Sequence, residues 1–347
     1  MKDPAGQGFL FGMPEPAPSG SVGPAAVAER TAAIARRLPA NVFLGTSSWT
    51  FPGWEGIVYD RKGSMAQLAD RGLEAYASHP LFRTVGLDRA FYRPPPRAEF
   101  EKLARQTPHG FRFLVKAYQG LTRPDADDRG RTHGDAAKHK STNALFLDAS
   151  FALHEVIQPA LEGLGTRCGP IVFQFPPLDL KSLGGAGAFI KKLGGFIERL
   201  SSHPSSTGAC LCVEVRNREL LSEEHAGSYA AALGASGHVV AVHPTMPSPL
   251  AQASVFERAG RDVCAASTPL VVRWMLRANH QYDEAKELYS PFNRLVEEDV
   301  PSRLEIASLV AKALKSGRDA FVIINNKAEG SAPMSVEELA GVLAGID

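Results

Sequence analysis

The sharpest chemical pattern in the chain is Cys-Leu-Cys-Val-Glu-Val-Arg, residues 210–216. Leu211, Val213 and Val215 fall on one parity, and Cys210, Cys212, Glu214 and Arg216 on the other. In a strand these sets point to opposite faces. One face is then apolar, while the other begins small and ends charged. A charge pair at the end of an apolar strand is costly unless it is paired or hydrogen-bonded. Two readings follow: a structural Glu–Arg pair that closes a sheet, or the wall of an active-site mouth. Other apolar runs end in the same way, with Trp49, with Asp88 and Tyr92, with Lys116, with Gln174, with His243, with Arg273, and with Asn325 and Asn326. Lys116, Arg216 and Arg273 are the types that bind phosphate or carboxylate. Glu214 or Asp88 is the candidate general base, and His243 the alternative proton carrier. Trp49 and Tyr92 offer flat faces to a ligand, and Gln174, Asn325 and Asn326 offer amides. Each also has a plainer reading. Trp49 packs, Lys116 snorkels to solvent, His243 merely ends a strand before Pro244, and the amides tie down backbone.

These residues need elements to carry them to one place. Apolar runs at 41–46, 82–88, 111–116, 171–175, 210–216, 238–243, 270–275 and 320–325 read as strands. Helical pattern separates them. Ser64 with Gln67 is a capping box for a helix to about Ser78, and Ser335 with Glu338 is a second for the last helix. Further helices are expected around Phe100 and Leu103, up to Leu164, over 186–202 and 222–235, near 283–290, and over 301–316. Alternation of this kind implies a parallel sheet. Eight units over roughly 300 residues fit a single closed (β/α)8, TIM-like, α/β barrel. An open doubly wound sheet would normally carry a Gly-rich first turn, and none is visible. In a barrel the C-terminal strand ends open into one mouth, so the polar groups named above converge.

Composition sets the remaining bounds. The chain has 347 residues, 38 basic and 37 acidic, which gives no broad field for nucleic acid or a membrane surface. No apolar run is long enough to span a bilayer, and the N-terminus lacks the pattern of a secretory leader. Cys168, Cys210, Cys212 and Cys264 show no ligand spacing, so buried thiols in a reduced, cytoplasmic protein are expected. Residues 1–24, rich in Pro, Gly and Ala, read as a mobile tail. Residues 25–40 read as an N-terminal helix, and 41–347 as the barrel domain. The polar stretch 118–142 mixes Arg123, Arg129, Arg131, Lys138 and Lys140 with Asp125, Asp127, Asp128 and Asp135, as a solvated loop or lid does.

Gly45-Thr46-Ser47-Ser48-Trp49 with Trp54, Thr84-Val85, Phe91-Tyr92-Arg93-Pro94 and Gly110-Phe111-Arg112-Phe113 with Val115-Lys116 resemble the domain of unknown function 72 family, the YecE-like proteins. Phe173-Gln174-Phe175-Pro176-Pro177, Glu214-Val215-Arg216, Val272-Arg273 and Asn325-Asn326 continue the match in order, over about residues 41–345. The resemblance implies a TIM-like barrel and no established reaction. The chain departs from the family pattern. It has Gly86 for a Glu, Asp88 for an Asn, Arg123 and Asn217 for histidines, and Met275-Leu276 for His-Gly.

The pattern of strand ends leads to a metal-independent enzyme acting on a small anionic substrate, with no cofactor. The missing carboxylate and imidazoles favour the alternative, a binding module without turnover. A metal-dependent hydrolase or nuclease ranks last, because only Asp88, Glu214 and His243 could serve as ligands and cations flank them.

Overall fold

The computed structural model describes residues 22–125, 143–261, 268–277 and 280–345. Its eight strands are β1 (Val42–Thr46), β2 (Phe82–Leu87), β3 (Arg112–Lys116), β4 (Cys168–Gln174), β5 (Leu211–Glu214), β6 (Gly237–Val242), β7 (Leu270–Trp274) and β8 (Ala320–Ile324). They pair in parallel, in chain order, and close into a barrel. Val42–Thr46 meets Ala320–Ile324 residue for residue at the seam. The helices are α1 (Glu29–Arg37), α2 (Met65–Ala77), α3 (Arg97–Arg105), α4 (Ala149–Phe151), α5 (Gln158–Leu164), α6 (Ala186–Ser201), α7 (Ala226–Ala232), α8 (Pro249–Arg258), α9 (Tyr282–Tyr289), α10 (Val300–Lys315) and α11 (Ala332–Ala344). The chain is a (β/α)8 barrel, as the strand count implied.

Strand parity separates two cores. Val213, Val240, Val272 and Val322 face outward into the main core beneath the helices. Phe43, Leu114, Val172, Cys212, Val239, Val271, Phe321 and Ile323 fill the barrel interior. Phe43 and Phe321 stack there with ring centroids 4.5 Å apart. Two residues further along four of these strands stand Lys116, Gln174, Glu214 and Arg273. Polar side chains therefore form the layer above an apolar plug. Gly45 and Gly86 instead allow close approach of backbone: a Cβ on Gly45 would meet the Thr84 carbonyl oxygen, and one on Gly86 the Ser47 backbone.

Several local expectations shift. The Ser64 capping box opens α2 as expected. The last helix starts earlier than its expected box: Ser331 is the N-cap residue, a proline lies in the first turn, and Ser335 is a buried interior residue. Proline fixes φ for helix entry, so it sets the start. The helix expected to run up to Leu164 comprises α4, a π turn over Ala152–Ile157, and α5 with Pro159 in its first turn. Pro159 cannot donate to the carbonyl of Glu155, and the widened turn accommodates its ring. The sequence pattern gave no expectation of α8, whose buried positions, Pro249, Gln252, Ala253 and Phe256, make a weak apolar stripe.

Of the expected tail, residues 1–21 lie outside the described residues, as do Cys264 and the loop positions from Asp127 to Lys140. Val22 is buried, Gly23 N donates to Asp60 Oδ1 at 2.9 Å, and Pro24 bridges to Tyr59. The part of the tail that is described is thus docked. Among the described residues no helix is long and apolar enough to cross a membrane.

Candidate functional site

The polar layer builds a network around Glu214. Its carboxylate is fully buried at the end of β5. One oxygen meets Arg216, two residues beyond the end of β5, and the other accepts a hydrogen bond from Arg273 Nη1 at the end of β7. The same Nη1 donates to Gln174 Oε1 at 3.0 Å. Arg273 Nη2 stands 3.5 Å from Asp88 Oδ1, at the start of the turn after β2. Burial alone would raise the Glu214 pKa, but the charges of Arg216 and Arg273 and the hydrogen bond from Arg273 outweigh it and hold the group at about 2. Burial lowers the Arg216 pKa, while for Arg273 the two carboxylates prevail and raise it.

Two lysines flank this network. Lys116, at the end of β3, is 9% exposed and places Nζ 3.6 Å from the centre of the Phe91 ring. Burial lowers its pKa to about 8, against the pull of Asp88. Lys327, just beyond β8, is 5% exposed and places Nζ 4.1 Å from the Tyr282 ring centre. Burial lowers it to about 8 as well, again against Asp88. Among the described residues neither ammonium has a hydrogen bond or ion pair, so aromatic faces are what they rest on. Arg123 lies near the same Phe91 ring, at 5.7 Å.

Lys116, Arg216, Arg273 and Lys327 thus stand against Glu214 and Asp88. The carboxylates balance the arginines and leave the two lysines over. Asp283 and Lys286 on α9 act on Lys327 with opposite signs. Arg216 Nη1 and Arg273 Nε are buried without a hydrogen-bond partner among the described residues.

His243, just beyond β6, is neutral at pH 7. Burial, with help from Arg216, lowers its pKa to about 4. Thr245 N donates to its Nδ1 at 3.3 Å, which leaves the proton of the neutral ring on Nε2.

Other expected site residues point elsewhere. Trp49 is buried, and its indole N–H donates to the Leu68 carbonyl on α2 at 2.9 Å, so its polar atom is committed to packing. Asn325 Nδ2 donates to Ser47 Oγ at 2.8 Å, and its Oδ1 accepts from Lys327 N at 3.0 Å. Asn326 Oδ1 accepts from Ala332 N at 2.8 Å at the start of α11. The Oδ1 of each asparagine therefore ties down backbone, while Asn326 Nδ2 is buried without a hydrogen-bond partner among the described residues. Tyr92 lies half-buried, edge-on to Phe91 at 5.4 Å. Asn217 clamps the loop after β4, accepting from Leu178 N and donating to Leu178 O at 2.8 and 2.9 Å. A Cβ at Gly86 would meet the Ser47 carbonyl oxygen at 3.1 Å. Lys327 was missed by the sequence reading, although it directly follows the Asn325–Asn326 pair at a strand end.

Among the described residues no three His, Cys, Asp or Glu side chains converge as a metal site. The outer groove between α6 and α7, about 530 Å³, is lined mostly by small residues such as Gly194, Ala231 and Ala232, with Glu198 its one charged group. It offers no cluster of functional groups. The mouth does.

A family model described as a protein of unknown function, DUF72, matches residues 43–345. The UPF0759 protein YunF of Bacillus subtilis (strain 168) is 31% identical over 136 residues, which are 39% of this chain and 40% of that protein. The chain therefore aligns with less than half of that relative's length. A DUF72 family structure from Thermotoga maritima MSB8 superposes with a TM-score of 0.53 at 21% identity, covering 87% of this chain and 98% of that one. Another from Enterococcus faecalis V583 gives 0.52 at 14% identity, covering 88% and 98%. At these identities the structural likeness is one of fold.

Proposed function

The chain belongs to the DUF72 family, and from the geometry of its barrel mouth we propose that it binds a small phosphate- or carboxylate-bearing molecule there and acts on it without a metal. One observation carries this reading: Lys116 and Lys327 are largely buried side chains whose ammonium groups have no ion pair or hydrogen bond among the described residues. Buried surplus charge is expensive, and a bound anion offsets it. Arg216 Nη1 and Arg273 Nε add unpartnered donors to the same site.

Roles follow from charge and burial. Glu214, held at about 2, is too weak a base at neutral pH and serves to hold the two arginines. Asp88 is the remaining carboxylate for a base, with its side chain 20% exposed. His243 presents Nε2–H as a neutral donor. A second reading, binding without turnover, is favoured by Gly86, where the family resemblance implies a carboxylate and the Ser47 backbone leaves little room for a side chain.

The test is thermal melting with inorganic phosphate. At hundredfold saturation phosphate should raise the melting temperature by roughly 2–6 °C. Lys327→Met should abolish the rise. No rise in the wild-type protein refutes the anion site. Turnover in a metabolite screen, with no stoichiometric metal by elemental analysis, separates the enzyme from the binding module.

A further inference from the structure

The lysine at the end of β3 differs from an ordinary anion-binding lysine. Lys116 shares the barrel's inner parity with Leu114, so its chain rises from the apolar plug. Its Nζ lies over the Phe91 face, and Phe91 is itself buried. The nearby carboxylates are engaged by arginines: both oxygens of Glu214 by Arg216 and Arg273, and Asp88 by Arg273. A lysine desolvated against an aromatic face, close to other cations and without a carboxylate of its own, is an amine prepared to act as a nucleophile.

We propose that Lys116 Nζ condenses with the carbonyl carbon of a small oxo compound that also carries an anionic group, a 2-oxo acid or a carbonyl phosphate, to form an imine. The proposal rests on the anion reading above, with Lys327 and the unpartnered arginine N–H groups holding the anionic end.

The chemistry balances with no further reactant. The unprotonated amine attacks the carbonyl carbon, the carbonyl π pair moves to oxygen, and the oxygen takes the proton that the attacking nitrogen gives up. The resulting carbinolamine loses its hydroxyl as water, taking one more proton, and the nitrogen lone pair forms the C=N bond. Overall, ammonium plus carbonyl gives protonated imine plus water. The lowering of Lys116 to about 8 supports this, because about one molecule in ten then carries the free amine at pH 7. Desolvation is what favours the free amine, against the pull of Asp88, while Arg273 and Arg216 nearby favour an anionic partner.

Imine trapping tests the inference on the full wild-type chain. The protein is treated with limiting glyoxylate and cyanoborohydride at pH 7, and labelled peptides are mapped by mass spectrometry. Hydride from the reductant adds to the imine carbon and leaves a carboxymethyl group on the nitrogen. Lys116 should be labelled at least about tenfold faster than the median surface lysine. Inorganic phosphate should slow labelling of Lys116, and of Lys327 at the same mouth, without slowing the surface lysines. Lys116→Arg should remove that label and leave the others unchanged. If Lys116 labels no faster than surface lysines, the imine proposal is wrong, and it is wrong on its own if phosphate still raises the melting temperature. If Lys116 labels fast with neutral acetaldehyde as well and phosphate has no effect on labelling or melting, the nucleophile stands and the anion reading falls.

Discussion

Replacing Glu214 with Gln tests the network from which the mouth is built. The substitution keeps shape and removes one negative charge from between two buried arginines. Its magnitude follows in two ways. The Glu214 carboxyl is held at about 2 against an ordinary 4.5, and at about 1.4 kcal/mol per pH unit that gap corresponds to about 3 kcal/mol. Removing one member of a buried ion pair costs about 3–5 kcal/mol. The sign also fixes a pH dependence. A carboxylate with a lowered folded pKa contributes its full stability above the unfolded value and loses it as pH falls through the folded value. The gap between wild type and Glu214→Gln in urea denaturation should be about 3 kcal/mol at pH 7 and unchanged down to pH 5. It should be roughly half gone by pH 3. A cost below about 1 kcal/mol at pH 7 would mean that the arginines find other partners. A gap that does not change between pH 5 and pH 3 would mean that the carboxylate is not ionised in the fold.

Lys116 should show the opposite sign. Its folded pKa of about 8 lies below the ordinary 10.5, so the fold is penalised while the lysine is charged and the penalty fades as pH rises from 8 to 10.5. Lys116→Met should therefore stabilise the ligand-free protein by ~1–3 kcal/mol at pH 7, with the gain shrinking above pH 8 in denaturant titrations. Ser64→Ala removes a capping side chain from α2 and should cost about 1 kcal/mol by thermal melting. Gly45→Ala should prevent stable folding, since its Cβ would lie 1.9 Å from the Thr84 carbonyl oxygen; normal yield and melting would refute the β1–β2 register. A chain beginning at Ala25 should melt lower than one beginning at Val22, because it loses the Val22 burial and the Gly23–Asp60 bond.

The sequence alone determined the barrel and the level of its polar layer. Eight apolar runs separated by helical pattern specify closure, and period-two parity decides which residues face the interior. Glu214 and Arg216 were legible as a pair because they lie only two residues apart, in an extended run, although β5 itself ends at Glu214. The capping box at Ser64 was legible for the same reason. Partner choice across the barrel was decided only by the tertiary structure. Arg273 lies 59 residues from Glu214 and 99 from Gln174, and closure alone brings those strand ends together. It also put the Trp49 indole N–H on the Leu68 carbonyl, which no spacing in the sequence signals. Asn325 and Asn326 carry the same amides whether they meet a ligand or backbone, and only the loop around them brings each Oδ1 to a backbone N–H. Lys327 read as one more lysine after a strand, and became a candidate only because Tyr282 and the turn after β8 bury it without a carboxylate partner. The face a side chain points to is encoded along the chain; what it meets there depends on strands remote in sequence, and so does the charge left unbalanced at the mouth.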